Sequence, residues 1–202
     1  MKAAMERVRT RPYRMKVRAE AARATADRVL DVAVELFSEN PYEDVSLEEI
    51  AHRSHVTART VSRRFGSKEA LFVQAMDRAA LQAQRERDEA PVGDVPGAVR
   101  YLVAQYERWG TNRLRMLSQE DRIPVVAENV RDGRRYHWSW VERTFAPLLV
   151  GLRRPIRRRR QAALVAATDV YMWKLLRRDL GLSRHDTEHA IVDLIHNAAE
   201  DR

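Results

Sequence analysis

Apolar residues recur along most of the chain at the three-to-four spacing of one helix face, and no stretch alternates as a half-buried strand does. Val29, Leu30, Ala33, Val34 and Phe37 mark a first helix over about 20–39, ended by Asn40-Pro41. Ser46-Leu47-Glu48-Glu49 reads as a capping box opening a short second helix to Arg53. Thr57 is placed to cap a third helix, to Arg64, and Ser67 a fourth that runs to Glu89. Pro91, Gly93 and Pro96 break the pattern there, with Asp94 as the next cap. A fifth helix reaches Trp109, striped by Val95, Val99, Leu102 and Tyr106, and a sixth covers about 111–119. The seventh spans Ile123 to Val150 and ends at Gly151 to Pro155. An eighth runs from Ile156 to Leu180, stopped by Gly181, and Ser183 caps a last one to the C-terminus. The expectation is an all-α chain of nine helices without repeats.

Composition narrows the chemistry. The 202 residues include seven glycines and seven prolines, few breakers for this length. There are no cysteines, which removes disulfide scaffolds, thiolate zinc sites, iron–sulfur clusters and cysteine nucleophiles, and suits a reducing cytosol. Residues 1–18 hold seven Lys/Arg and no apolar core, so they do not read as a signal peptide. No run approaches the ~18 apolar residues of a membrane span. The expected location is the cytoplasm, and no membrane partner is implied.

The net charge of +8 is unevenly placed. Residues 27–49 carry Asp27, Asp31, Glu35, Glu39, Glu43, Asp44, Glu48 and Glu49 against Arg28 alone. Residues 51–68 then hold Arg53, Arg59, Arg63, Arg64 and Lys68 with no acid. A purely basic window beside an acidic one is a directed field that suits a polyanion on one side. Arg153 to Arg160 has six arginines in eight positions and reads as a solvated loop, because nothing there reads a base or clamps a phosphate.

Residues 47–66, LEEIAHRSHVTARTVSRRFG, carry the informative pattern. Ala51 is small where two short helices cross, and Ile50, Val56, Val61 and Phe65 form the plug between them. Ser54-His55-Val56 is a turn of helix-turn-helix length. At ~100° per residue, Val61 and Phe65 point inward while Arg59, Thr60 and Arg63 point outward, flanked by Ser62 and Arg64. Such a face can lie in a major groove, where arginine reads guanine and threonine offers a hydroxyl or a methyl.

Residues 29–76 resemble the DNA-binding domain of the tetracycline-repressor (TetR) family. The matching positions are Ala33, Phe37, Ile50-Ala51, Val56-Thr57, Thr60, Phe65 and Ser67-Lys68-Glu69-Ala70-Leu71. The resemblance departs at three places. His55 stands where the family usually turns on glycine, and histidine tolerates a left-handed backbone. Ser62 stands at the family's aromatic phosphate contact, and Arg59 where glycine is frequent. The resemblance implies phosphate contacts from Ser46, Thr57, Ser62, Arg64 and Lys68, the last at a helix start that favours an anion. It implies base contacts from Ala58, Arg59 and Thr60, with Arg63 as a further candidate. The expected division is a basic arm too polar to fold alone (1–18), a DNA-binding domain that includes the fourth helix (19–89), and a ligand-binding and dimerisation domain (90–202). The arm's Arg7, Arg9, Arg11, Arg14, Lys16 and Arg18 suit either a minor-groove contact or a solubilising tail.

The seventh helix carries a stripe of Ile123, Val126, Val130, His137, Trp138, Val141, Phe145 and Leu148, with Arg134 inside it. Two readings stand: Asp169 or a backbone carbonyl satisfies Arg134 and His137, or the two anchor a ligand. The candidate pocket is walled by Tyr106, Trp109, Met116, Trp138, Tyr171 and Met172 and takes an apolar or aromatic molecule, with room for an acidic group. The last two helices, apolar at Leu164, Val165, Val170, Leu175, Ile191, Val192 and Ile195, suit a homodimer interface. His185, His189, Asp193 and His196 share a face at i, i+4, i+8 and i+11, a weak metal pattern without a second shell in view. No phosphate loop, nucleophile elbow or paired-carboxylate cleft is legible, so no enzyme, cofactor or metal is expected. The expected function is a homodimeric regulator that binds operator DNA, most simply a repressor released by a small-molecule effector. The competing readings are an architectural DNA-coating protein and a metal-binding helical protein.

Overall fold

A computed structural model of the chain describes the backbone of residues 2–200 and the side chains of residues 15–200. Among the described residues there are ten α-helices, a 3-10 turn at Tyr42–Asp44, a π-helical turn at Leu175–Asp179 and no strand. The chain divides into two compact units, Met1–Arg78 and Ala79–Arg202.

The first unit holds α1 (Lys2–Glu39), α2 (Leu47–Arg53), α3 (Ala58–Phe65) and the start of α4 (Lys68–Asp88). Helical backbone begins at Lys2, not near residue 20, so the segment read as a disordered arm is helical. Residues 2–18 have no glycine and consist largely of Lys, Arg, Ala, Met and Glu, strong helix formers, so polarity lowered burial without removing propensity. The arm's Arg7, Arg9, Arg11 and Arg14 lie outside the described side chains, while Lys16 and Arg18 are exposed. The core is built on Phe37, Tyr42 and Phe72, with centroids 5.0–5.7 Å apart in stacked and edge-on pairs. Such pairs add about 0.5–1.5 kcal/mol each beyond area burial. Ala33, Ile50, Leu71 and Ala75 are fully buried with them.

The second unit holds the end of α4, then α5 (Val95–Leu117), α6 (Pro124–Thr144), α7 (Ala146–Leu149), α8 (Arg154–Ala167), α9 (Val170–Lys174) and α10 (Arg184–Glu200). One fusion and two divisions turn the expected nine helices into ten. The fifth and sixth fuse because Gly110, which falls between the two expected helices, is a packing position. A Cβ there would meet Trp173 Cζ3 at 2.5 Å, so glycine admits the indole against the α5 backbone. The seventh divides at Phe145 because Pro147, which has no N–H, sits in the first turn of α7. The eighth divides because Thr168 and Asp169 turn their side chains on the backbone. The Thr168 hydroxyl donates to the Leu164 carbonyl at 2.7 Å, and Asp169 accepts from the Tyr171 N–H at 2.9 Å. Within this unit α10 packs on α5 and α8 through Ile191 and Ile195, and Trp140, Phe145, Leu102 and Leu164 fill the centre.

Candidate nucleic-acid interface

Two caps set the frame of the helix-turn-helix. Ser46 Oγ accepts from the Glu49 N–H at 3.0 Å and opens α2; Thr57 Oγ1 accepts from the Thr60 N–H at 3.2 Å and opens α3. Caps of this kind contribute about 1 kcal/mol each. Between them the turn is closed by the Ser54 N–H on the Ile50 carbonyl (3.0 Å) and the Val56 N–H on the Ala51 carbonyl (3.0 Å). His55 has φ +56°, the left-handed conformation that the turn demands in place of glycine. Ser54 is fully buried, its hydroxyl on the Ile50 carbonyl, and its own carbonyl accepts from Arg28 Nε at 3.0 Å. The turn is thereby tied to α1.

Val61 and Phe65 are buried and hold α3 from behind. Arg59, Ser62, Arg63 and Arg64 are exposed, Ala58 and Thr60 are half-buried, and Thr57 lies open at the helix start. Among the described residues, Arg59, Arg63 and Arg64 form no ion pair. The basic window is not uniform, however. Within it Arg53 is drawn onto Glu35 of α1, and beyond it Arg78 of α4 meets Asp27 and Asp31 at 2.8 and 2.9 Å. Asp27, Asp31 and Glu35 lie at i, i+4 and i+8 on one face of α1, so part of the acidic window is neutralised within the unit. The outward arginines of α3 keep their charge for another partner.

Lys68 departs from a free phosphate-binding ammonium. Its Nζ donates to the Glu43 carbonyl at 3.2 Å and sits 4.4 Å from the Tyr42 ring centre. Partial desolvation there pulls its pKa below the usual lysine range, against Glu69, Glu43 and Asp44, which raise it. The adjoining α4 N-terminus is capped by Ser67, whose Oγ accepts from the Ala70 N–H at 3.2 Å. Ser46 is half-buried.

The residues read as a ligand pocket do not form one cluster. Trp109, Trp138 and Tyr171 are 42–53% exposed. Arg134 is exposed and paired with Glu120, neither with Asp169 nor with a carbonyl. Met116 is buried and Met172 partly so. Tyr106 and His137 do meet, around Thr168: the Tyr106 hydroxyl donates to the Thr168 carbonyl at 3.0 Å, and His137 Nε2 lies 3.2 Å from Thr168 Oγ1. His137 Nδ1 is 3.2 Å from Arg87 Nη1, which can only donate. The imidazole therefore accepts at Nδ1 and carries its proton on Nε2. Burial, with Arg87 nearby, pushes its pKa down to about 3. Sequence reading missed Arg87, the residue around which this cluster is built. It lies in Arg85-Glu86-Arg87-Asp88, a charge run without signal on its face.

His185 and His189 stack edge-on at 4.3 Å and, like Asp193 and His196, are exposed. Among the described residues no group of three or more His, Asp or Glu could hold a metal ion. Among the described residues no helix is long and apolar enough to cross a membrane.

Residues 29–75 match a sequence profile described as bacterial regulatory proteins, tetR family. The chain is 33% identical over 135 residues to the HTH-type transcriptional regulator TcmR of Streptomyces glaucescens, covering 61% of this chain and 60% of that protein. Two solved structures share the fold. A transcriptional regulator from Rhodococcus sp. Rha1 superposes with a TM-score of 0.65 at 19% identity, over 85% of this chain and 94% of that one. A tetR-family transcriptional regulator from Streptomyces coelicolor superposes with a TM-score of 0.66 at 15% identity, over 87% and 79%.

Proposed function

We propose that this chain, a member of the tetR family of bacterial regulatory proteins, is a transcriptional regulator that places α3 in the major groove of operator DNA. The observation that carries the reading is the outer face of α3: Arg59, Arg63 and Arg64 are exposed and unpaired, while Val61 and Phe65 fix the helix from behind. Arg59, Thr60 and Ala58 supply base contacts, with Arg63 beside them. Ser46, Thr57, Ser62, Arg64 and Lys68 supply phosphate contacts, for which Lys68 exchanges the Glu43 carbonyl for a phosphate oxygen. The chain acts as a homodimer through its last helices, where Leu175, Leu180 and Leu194 are exposed. The unit Ala79–Arg202 binds a small effector and releases the DNA, and the chain is a binding protein, not an enzyme.

Selection of bound duplexes from a random pool tests the reading. The expected result is one palindromic site with half-sites about a helical turn, or a small multiple of it, apart. Uniform coating with a steep salt dependence and no preferred site would favour an architectural role instead.

A further inference from the structure

Arg87 is 3% exposed, and its Nε and Nη2 have no hydrogen-bond partner. Its one polar contact is the neutral His137, and three rings surround the guanidinium: Trp140 at 5.1 Å, Tyr106 at 5.5 Å and Tyr136 at 5.9 Å from centre to Cζ. Aromatic faces attract a cation but do not accept its N–H groups as an oxygen does. A second guanidinium, Arg113 of α5, lies close by. Burial and the charge of Arg87 push its pKa below the usual arginine range.

Among the described residues no carboxylate lies within 4 Å of either guanidinium. Asp88 is engaged by the Tyr136 hydroxyl and Arg143, both at 3.0 Å, and Asp169 caps α9. Arg87 is buried with two donors unspent, Arg113 is half-buried, and neither has a carboxylate partner, an arrangement costly in the empty protein.

Resting on the reading of Ala79–Arg202 as the sensor, we propose that this unit takes a small aromatic carboxylate, its two oxygens seated on Arg87 and Arg113 and its ring among Tyr106, Tyr136 and Trp140. A carboxylate matches the fork of a guanidinium, and an anion removes the repulsion between the two arginines. His137, held neutral, turns Arg87 by accepting from Nη1 and leaves Nε and Nη2 for the ligand.

Naphthoate, its uncharged counterpart naphthamide, and inorganic phosphate serve as probes with the full-length chain. Calorimetry and thermal melting should show naphthoate binding and stabilising, and naphthamide and phosphate at least tenfold weaker. Arg87→Met should lose naphthoate binding by at least tenfold and melt no lower than wild type when empty, since the unpaired charge is gone. Arg113→Gln, which leaves the aromatic cage intact, should weaken naphthoate at least tenfold and carries the test if Arg87→Met does not fold. Arg59→Ala should bind naphthoate as wild type does. Equal binding of acid and amide, binding to both arginine variants at wild-type strength, or no binding of naphthoate would overturn the proposal. Gel shifts with and without naphthoate separate the two readings. Acid binding that leaves operator affinity unchanged keeps the anion site and removes the sensor role. Operator binding without any acid binding removes the anion site and keeps the DNA-binding role.

Discussion

Two sets of arginines, each without an acidic partner, stand in different media in this protein. Arg59, Arg63 and Arg64 stand in water on the outside of α3, where an unpaired charge costs almost nothing and reaches outward. Arg87 stands inside aromatic walls, where the same deficiency is expensive and points inward. Two other arginines of the first unit show the contrast from the other side: Arg53 and Arg78 meet the acidic stripe of α1 and are neutralised. An excess of positive charge is therefore not one property. It becomes a DNA-facing surface where acids have been removed nearby, and an anion site where burial withholds water.

The comparison can be broken in four ways, in descending size of effect. Phe65→Ala should destabilise the first unit by roughly 3–5 kcal/mol, because a buried ring leaves a cavity behind the helix that presents the arginines. Urea unfolding followed by circular dichroism measures it. A loss below about 1 kcal/mol would mean that α3 is held by something other than its apolar face.

Acid titration probes the interior. His137 titrates near pH 3 in the folded chain and near 6.5 unfolded, so the unfolded chain takes up a proton first as pH falls. Its contribution is full above about pH 6.5 and is lost progressively toward pH 3, at a limit of ~1.4 kcal/mol per pH unit for one group. His137→Asn should flatten that slope in urea unfolding between pH 6 and 4; an unchanged slope would place the acid sensitivity in other groups.

Base and phosphate contacts separate next. Arg59→Ala should cost roughly 1–3 kcal/mol on the selected operator and little on random duplex, whereas Arg64→Ala should weaken both alike. Gel shifts on the two DNAs decide it, and identical behaviour of the two variants would remove the division of roles. The smallest effect belongs to Arg53→Ala, an exposed pair worth roughly 0.2–1 kcal/mol of stability. It should leave the salt slope of DNA affinity unchanged, while Arg64→Ala lowers that slope by about 1.

Much of the first unit was legible because its signals are local. Ser46 and Thr57 cap helices three residues ahead of the N–H groups that they accept, and the apolar spacing of Val61 and Phe65 names the buried side of α3. Even the left-handed His55 could be foreseen from the turn's length and the residue's tolerance. The second unit was less legible because its partners lie far apart in the chain. Arg134 looked like a pocket anchor on its stripe, but Glu120 meets it in the fold. Trp109 and Trp138 carry the hydrophobicity of wall residues and stand exposed.

The amino-acid sequence on its own determined the helical class, the helix-turn-helix and the basic character of its outer face. Those properties depend on residues within a few turns of one another, where spacing along the chain is spacing in space. Only the tertiary structure decided which charges remain unpaired. Arg53 and Arg59 are alike in sequence, and Arg87 is one arginine in a run of charges. What separates them is whether a distant helix brings a carboxylate, water or a ring to the guanidinium, and no local pattern carries that information.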